Sequence, residues 1–308
     1  MSCVVCMAAL IGAQRLTVVL AAGVLALVAT PTVAQPAPPR TAWGVPDLQG
    51  VWNHGTATPL ERPEQHVGRQ RLTAAEVAEV NAEARSAEGV GARRAVWWER
   101  GLSDGRTSMI VEPSNGRVPY TPEAAAWLRS LRPSSADGPD DLPLQARCLT
   151  YGVPRLGGPY SQNIHLFQTP DHVVLLHEMI HEFRVIPLDD RPHLTAGLRQ
   201  WMGDSRAVWE GDTLVVDTTN FSDQQLFRRR SMGTTRLVER FTRLHADTLR
   251  YAVTFEDPDS FSRPWTATIT MPETDGQMFE FACHEGNYGM TGILEIARGE
   301  DAVAADTR

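Results

Sequence analysis

The chain has 308 residues, 42% of them hydrophobic and 21% charged, enough apolar material for one or two packed domains and too much for wholesale disorder. Its formal net charge of −8 offers no general attraction to nucleic acid or anionic lipid. All 29 basic residues are arginine, which excludes lysine Schiff-base chemistry and a P-loop.

The first segment reads as an export signal. Arg15 precedes the apolar run "LTVVLAAGVLALVAT" (16–30), and Thr32-Val33-Ala34 is a small-x-small cleavage site. Residues 1–34 are therefore expected to be a signal peptide, with Met1 or Met7 as its start, and the protein periplasmic or secreted, with no other membrane segment. Cleavage leaves Cys148 and Cys283, which in an oxidising compartment are expected to form one disulfide.

Residues 35–48 are proline-rich, and "QGVWN" follows. Gly50-Val51-Trp52 resembles the G-x-W that opens the first strand of lipocalin-type barrels, where the Trp closes one end. Thr73-Ala74-Ala75-Glu76 is a capping box that starts a helix running to about Arg85. Thr121-Pro122-Glu123 supplies a cap, an N1 proline and an early acid to a second helix. Residues 132–143, "RPSSADGPDDLP", read as a linker. The segment 35–143 is thus an N-terminal arm with a first strand and two helices.

From 144 to 298 the pattern turns to β. "NIHLFQ" alternates; "RAVW" and "TLVVDTTNF" flank a turn at Glu210-Gly211-Asp212; "RLVERFTRLH" and "TLRYAVTFE" flank Ala246-Asp247; "WTATITM" and "QMFEFACHE" continue the series. Short alternating strands joined by tight turns predict an antiparallel meander, mainly β, closing into a lipocalin-like (calycin) barrel because closure removes exposed edges. Residues 299–308 are expected to be a disordered tail.

Several motifs in this half resemble those of a widespread, largely uncharacterised family of exported Gram-negative bacterial proteins: Asp190-Arg191-Pro192-His193, Met202-Gly203-Asp204-Ser205-Arg206, Trp209-Glu210-Gly211-Asp212 through Thr219, and Glu239-Arg240-Phe241. Asp190 and Ala207 stand where the family pattern has glycine. The resemblance implies membership and export; it brings no activity with it.

His177-Glu178-Met179-Ile180-His181 spells H-E-x-x-H. On a helix the two imidazoles would share a face and hold zinc, with Glu178 as general base. The surrounding Val173, Val174, Val185 and Ile186 favour β structure, so the expectation is two strands, about 172–178 and 181–188, meeting at a bend. Ser205, Asp257 and His284 follow a hydrolase order, but a strand rather than a helix follows the serine.

The densest polar cluster is "ACHEGNYG" (282–289), where a disulfide would hold His284 and Glu285 beside Arg147 and Tyr151. The leading expectation is a barrel that binds a small, partly apolar molecule with no cofactor, with Trp52, Arg184, Arg191, Trp201 and Trp265 as ligand-binding candidates. Glu178, His193, His284 and Glu285 are candidates for acid–base chemistry. The alternatives are a zinc-dependent hydrolase through His177 and His181, and a non-catalytic structural protein of the envelope.

Overall fold

Alternating burial shapes the longest strands. In Arg236–His245 the side chains of Leu237, Glu239, Phe241 and Arg243 are buried and their neighbours are less so, the period of two that a sheet with one inner face requires. The structure, a computed structural model, describes residues 37–85, 101–131, 138–158 and 160–306. The signal-peptide reading of 1–34 and the front of the linker, 132–137, lie outside the described residues.

Among the described residues twelve strands follow in chain order: β1 (Gly50–Asn53), β2 (Ile110–Glu112), β3 (Asn163–Gln168), β4 (His172–His177), β5 (Phe183–Pro187), β6 (Asp204–Glu210), β7 (Thr213–Thr219), β8 (Leu226–Phe227), β9 (Arg230–Ser231), β10 (Arg236–His245), β11 (Thr248–Glu256) and β12 (Trp265–Pro272). They form a four-stranded sheet ordered β1-β3-β4-β5, a six-stranded sheet ordered β2-β12-β11-β10-β7-β6, and the small ribbon β8-β9. All of these pairings are antiparallel. The expected hairpins at Gly211 and at Ala246-Asp247 are both formed. Gly211 sits at φ 60°, a conformation that glycine adopts without steric penalty.

One core lies between the two large sheets. Trp52, Leu166, Leu175 and Ile186 from the first pack with Val216, Phe241, Phe255 and Ile269 from the second. Full burial of each such side chain contributes about 1.5–3 kcal/mol relative to exposure. At one seam the sheets are stitched together: Trp52 bridges Glu273, and the Thr274 N–H donates to the Val51 carbonyl at 2.8 Å. Trp52 lies fully buried at this seam. Its indole N–H donates to the Leu48 carbonyl at 2.9 Å, and the Arg243 guanidinium lies 4.9 Å from its ring centroid. At the other seam β5 and β6 share no ladder, so the backbone hydrogen bonds do not run continuously around a barrel.

Among the described residues three α-helices decorate the sheets: α1 (Ala74–Arg85), α2 (Pro122–Ser130) and α3 (Tyr288–Asp306). The capping box of α1 is reciprocal, with Glu76 accepting from the Thr73 N–H at 2.7 Å and Thr73 Oγ1 accepting from the Glu76 N–H at 3.3 Å. Thr121 Oγ1 accepts from the Ala124 N–H at 3.1 Å at the start of α2. The C-terminal end departs from expectation. Residues 277–285 make no strand, and the tail expected to be disordered continues as α3 through Asp306. Alanines and long side chains favour that helix, and Met290, Leu294 and Ala297 pack on Leu142 and Ala146. The Cys148–Cys283 disulfide, with Cα atoms 5.7 Å apart, ties the segment before α3 to the loop before β3. No described helix is long and apolar enough to cross a membrane.

Candidate functional site

The inward phase of β5, β6, β7, β10 and β11 is apolar at most positions and polar at a few that lie together. Arg184 (β5) and Glu239 (β10) form a buried, two-pronged ion pair, Nη1–Oε1 3.1 Å and Nη2–Oε2 2.7 Å. Arg184 Nη2 also donates to Ser205 Oγ at 2.9 Å and Thr218 Oγ1 at 3.2 Å, and Tyr251 Oη donates to Glu239 Oε1 at 2.9 Å. The fork geometry of guanidinium and carboxylate fixes both groups. Burial, and then the adjacent Glu239 charge, push the Tyr251 hydroxyl well above its ordinary pKa, so it stays a donor.

A second buried pair stands beside the first. Arg155 contacts Glu182 at 2.6 Å, and Glu182 also accepts from the Thr150 hydroxyl and from the Tyr151 N–H at 3.1 Å. Burial pulls the Arg155 pKa down to about 10 against the opposing pull of Glu182. His54 and His177 face the same interior. Burial first, then the charge of Arg155, lowers the His54 pKa to about 3 and puts that of His177 well below the usual value. Both rings are neutral at physiological pH.

Arg184 and Ser205 also form the floor of an open cleft of about 640 Å³ along the unpaired seam between β5 and β6. Its lining includes Phe183 (62% exposed), Val185 (54%) and Trp201 (39%), together with Met202. Its charged lining is Arg184, Arg199 and Arg206 against Asp204. Arg206 Nη1 donates to Asp204 at 2.6 Å, and Arg199 pairs with Asp223 at 3.2 Å. Burial opposes ionisation of Asp204, but bonds from the Leu194 N–H, His193 and Arg206 outweigh it and hold its pKa below the usual value.

The residues singled out from the sequence are scattered over this architecture. Arg184 and Trp201 meet in the cleft. Trp52 and Trp265 are fully buried in the core, with Trp265 stacked on Phe255 at 4.1 Å. Arg191 lies on the outer surface, paired with Asp189. His193 Nδ1 is 2.9 Å from Asp204 Oδ2, with Nε2 3.8 Å from Asp217 in an outer groove. The buried carboxylate of Glu178 accepts from the Phe279 N–H at 2.9 Å and the Asn163 N–H at 3.3 Å, which fastens a loop. His284 and Glu285 are exposed beside the disulfide.

The H-E-x-x-H stretch is a hairpin: β4 ends at His177, Met179–His181 is a single tight turn, and β5 begins at Phe183. His177 is buried and His181 exposed, so the imidazoles do not converge. Among the described residues no three His, Cys, Asp or Glu side chains gather as a metal site. Ser205, Asp257 and His284 are likewise apart: Ser205 faces the interior network, and Asp257 accepts from the Thr234 and Thr235 hydroxyls in a turn.

Glu239, Tyr251, His54, Arg155 and Glu182 were missed as site residues. Glu239 had a visible signal, because it interrupts the apolar phase Leu237-x-Glu239-x-Phe241. No protein-family model matches the chain, and neither a curated protein nor a solved structure matches it.

Proposed function

We propose that the protein is an exported binder of a small, partly apolar, acidic molecule, held in the cleft between β5 and β6. The observation that carries this reading is Arg184. It presents a polar floor to a partly apolar hollow while Glu239 and Thr218 hold it from behind and Ser205 holds it from within the floor. Preorganised polar groups under apolar walls are the usual composition of a ligand site, and about 640 Å³ lies within the usual size range of roughly 300–1,000 Å³. Arg184 and Arg206 are held by Glu239 and Asp204, whereas Arg199 is partly exposed and its partner Asp223 is a solvent-facing carboxylate outside the lining, so Arg199 is the group that favours an acidic end on the ligand. The seam stitched at Trp52–Glu273 and the shared core support reading the sheets as a barrel opened along one side. The disulfide fits an oxidising compartment, and the motif resemblance points the same way. Because Glu178, His193, His284 and Glu285 lie outside the cleft lining, binding is favoured over conversion of the ligand.

The test is titration with 8-anilinonaphthalene-1-sulfonate, an apolar ring system bearing one acid group. One saturable site is expected, weakened about tenfold or more, that is by about 1.4 kcal/mol or more, in Trp201→Ala and in Val185→Glu, each checked for native circular dichroism. No saturable binding, or wild-type affinity in both variants, would overturn the reading. The mass of the purified protein reports export: an N-terminus at or near Gln35 is expected, and an intact 1–34 segment would contradict it.

A further inference from the structure

Arg184 lines the cleft and also a second space, a chamber of about 20 Å³ in the interior. Every residue that lines the chamber is buried. His177, only 3% exposed, has neither ring nitrogen hydrogen-bonded, and Nδ1 of His54, Nε of Arg155 and Nε of Arg184 also have no protein partner there. A neutral imidazole offers one donor and one acceptor, and each Arg Nε–H is a donor. The free groups around the chamber therefore include both kinds.

That combination selects the guest. A charged guest is disfavoured, because Arg155 is already neutralised by Glu182 and Arg184 by Glu239, and an added charge would be buried without a partner. An apolar guest would leave the imidazole and the guanidinium N–H groups unsatisfied. A volume of about 20 Å³ exceeds the roughly 10–15 Å³ that one water needs and is too small for a larger molecule. We infer that the chamber is a binding site for a single neutral oxygen that both donates and accepts, supplied by one long-lived water molecule bound to His177. With Nη1 and Nη2 engaged by Glu239, Ser205 and Thr218, a bond from Nε to this water completes the coordination of Arg184 and links the two buried ion pairs across the interior.

The test uses the purified protein in water with no added ligand. Water-selected rotating-frame Overhauser spectra should show a cross-peak from a slowly exchanging water to the His177 ring protons, and the ring ¹⁵N shifts should be those of a neutral, hydrogen-bonded imidazole. Oxygen-17 relaxation dispersion should then lose one long-lived water in His177→Leu and retain it in His177→Gln. Absence of the cross-peak in the wild-type protein, or an unchanged count of long-lived waters in a folded His177→Leu variant, would overturn the site. If His177→Leu does not fold, the wild-type cross-peak alone decides.

Discussion

Glu239 occupies a position where the alternation of β10 calls for an apolar side chain, and its effect on stability depends on its partners. Removing one member of a buried pair strands the other, at about 3–5 kcal/mol, whereas an apolar replacement of both is often neutral. Glu239→Ala is therefore expected to destabilise by about that amount in urea unfolding, and Arg184→Met/Glu239→Leu by less than the single change. A single-variant loss below about 1 kcal/mol would contradict the pairing. His54 and His177 set the acid response. Above about pH 6.5 they are neutral in folded and unfolded chains alike. Below it the unfolded chain binds protons that the buried rings refuse, so stability falls as pH falls, by about 1.4 kcal/mol per pH unit for each histidine. For His54 the fall continues to about pH 3. Unfolding free energies measured across that range should show this slope, and His54→Gln should reduce it; a flat profile from neutral pH to about pH 5 would contradict neutral burial of both rings.

At the scale of elements, residues 277–285 and α3 are the part least legible in the sequence, and the Cys148–Cys283 disulfide that ties them to the loop before β3 is the most legible. Its loop spans 135 residues, and on the chain-entropy model closing it stabilises by about 4–5 kcal/mol. Cys148→Ser/Cys283→Ser should lower the stability by a comparable amount, and non-reducing peptide mapping should recover the linked pair; equal stability with and without the link would contradict a tethering role. Period-two alternation made β3, β6, β7, β10 and β11 legible, because each has one wet and one dry face. It misread 277–285, where Phe279 gives its N–H to the Glu178 side chain rather than to a neighbouring strand. The same logic settled the H-E-x-x-H stretch, since β-branched residues on both sides outweigh its helical spacing. The site was less legible. Arg184 and Trp201 were named, but alternation does not say which polar residues of separate strands become neighbours, so the grouping of Glu239 and Tyr251 emerges only from the register of the sheets, and that of His54 and Arg155 only from the loops that carry them into the same interior.

For the whole molecule, the central feature is an asymmetry between two seams. One is closed by Trp52, Glu273 and Arg243; the other is open along β5 and β6, over the Arg184 network. The closed seam holds the sheets around a common core, and the open one leaves a hollow whose floor is rigid and whose walls are partly apolar. Hydrogen–deuterium exchange with and without saturating 8-anilinonaphthalene-1-sulfonate tests this arrangement most directly. Slowed exchange is expected in peptides covering 183–186 and 199–206, with 277–285 and α3 unchanged. Protection centred on α3 or on the outer face of β7 and β10, with none at 183–186 and 199–206, would contradict the account.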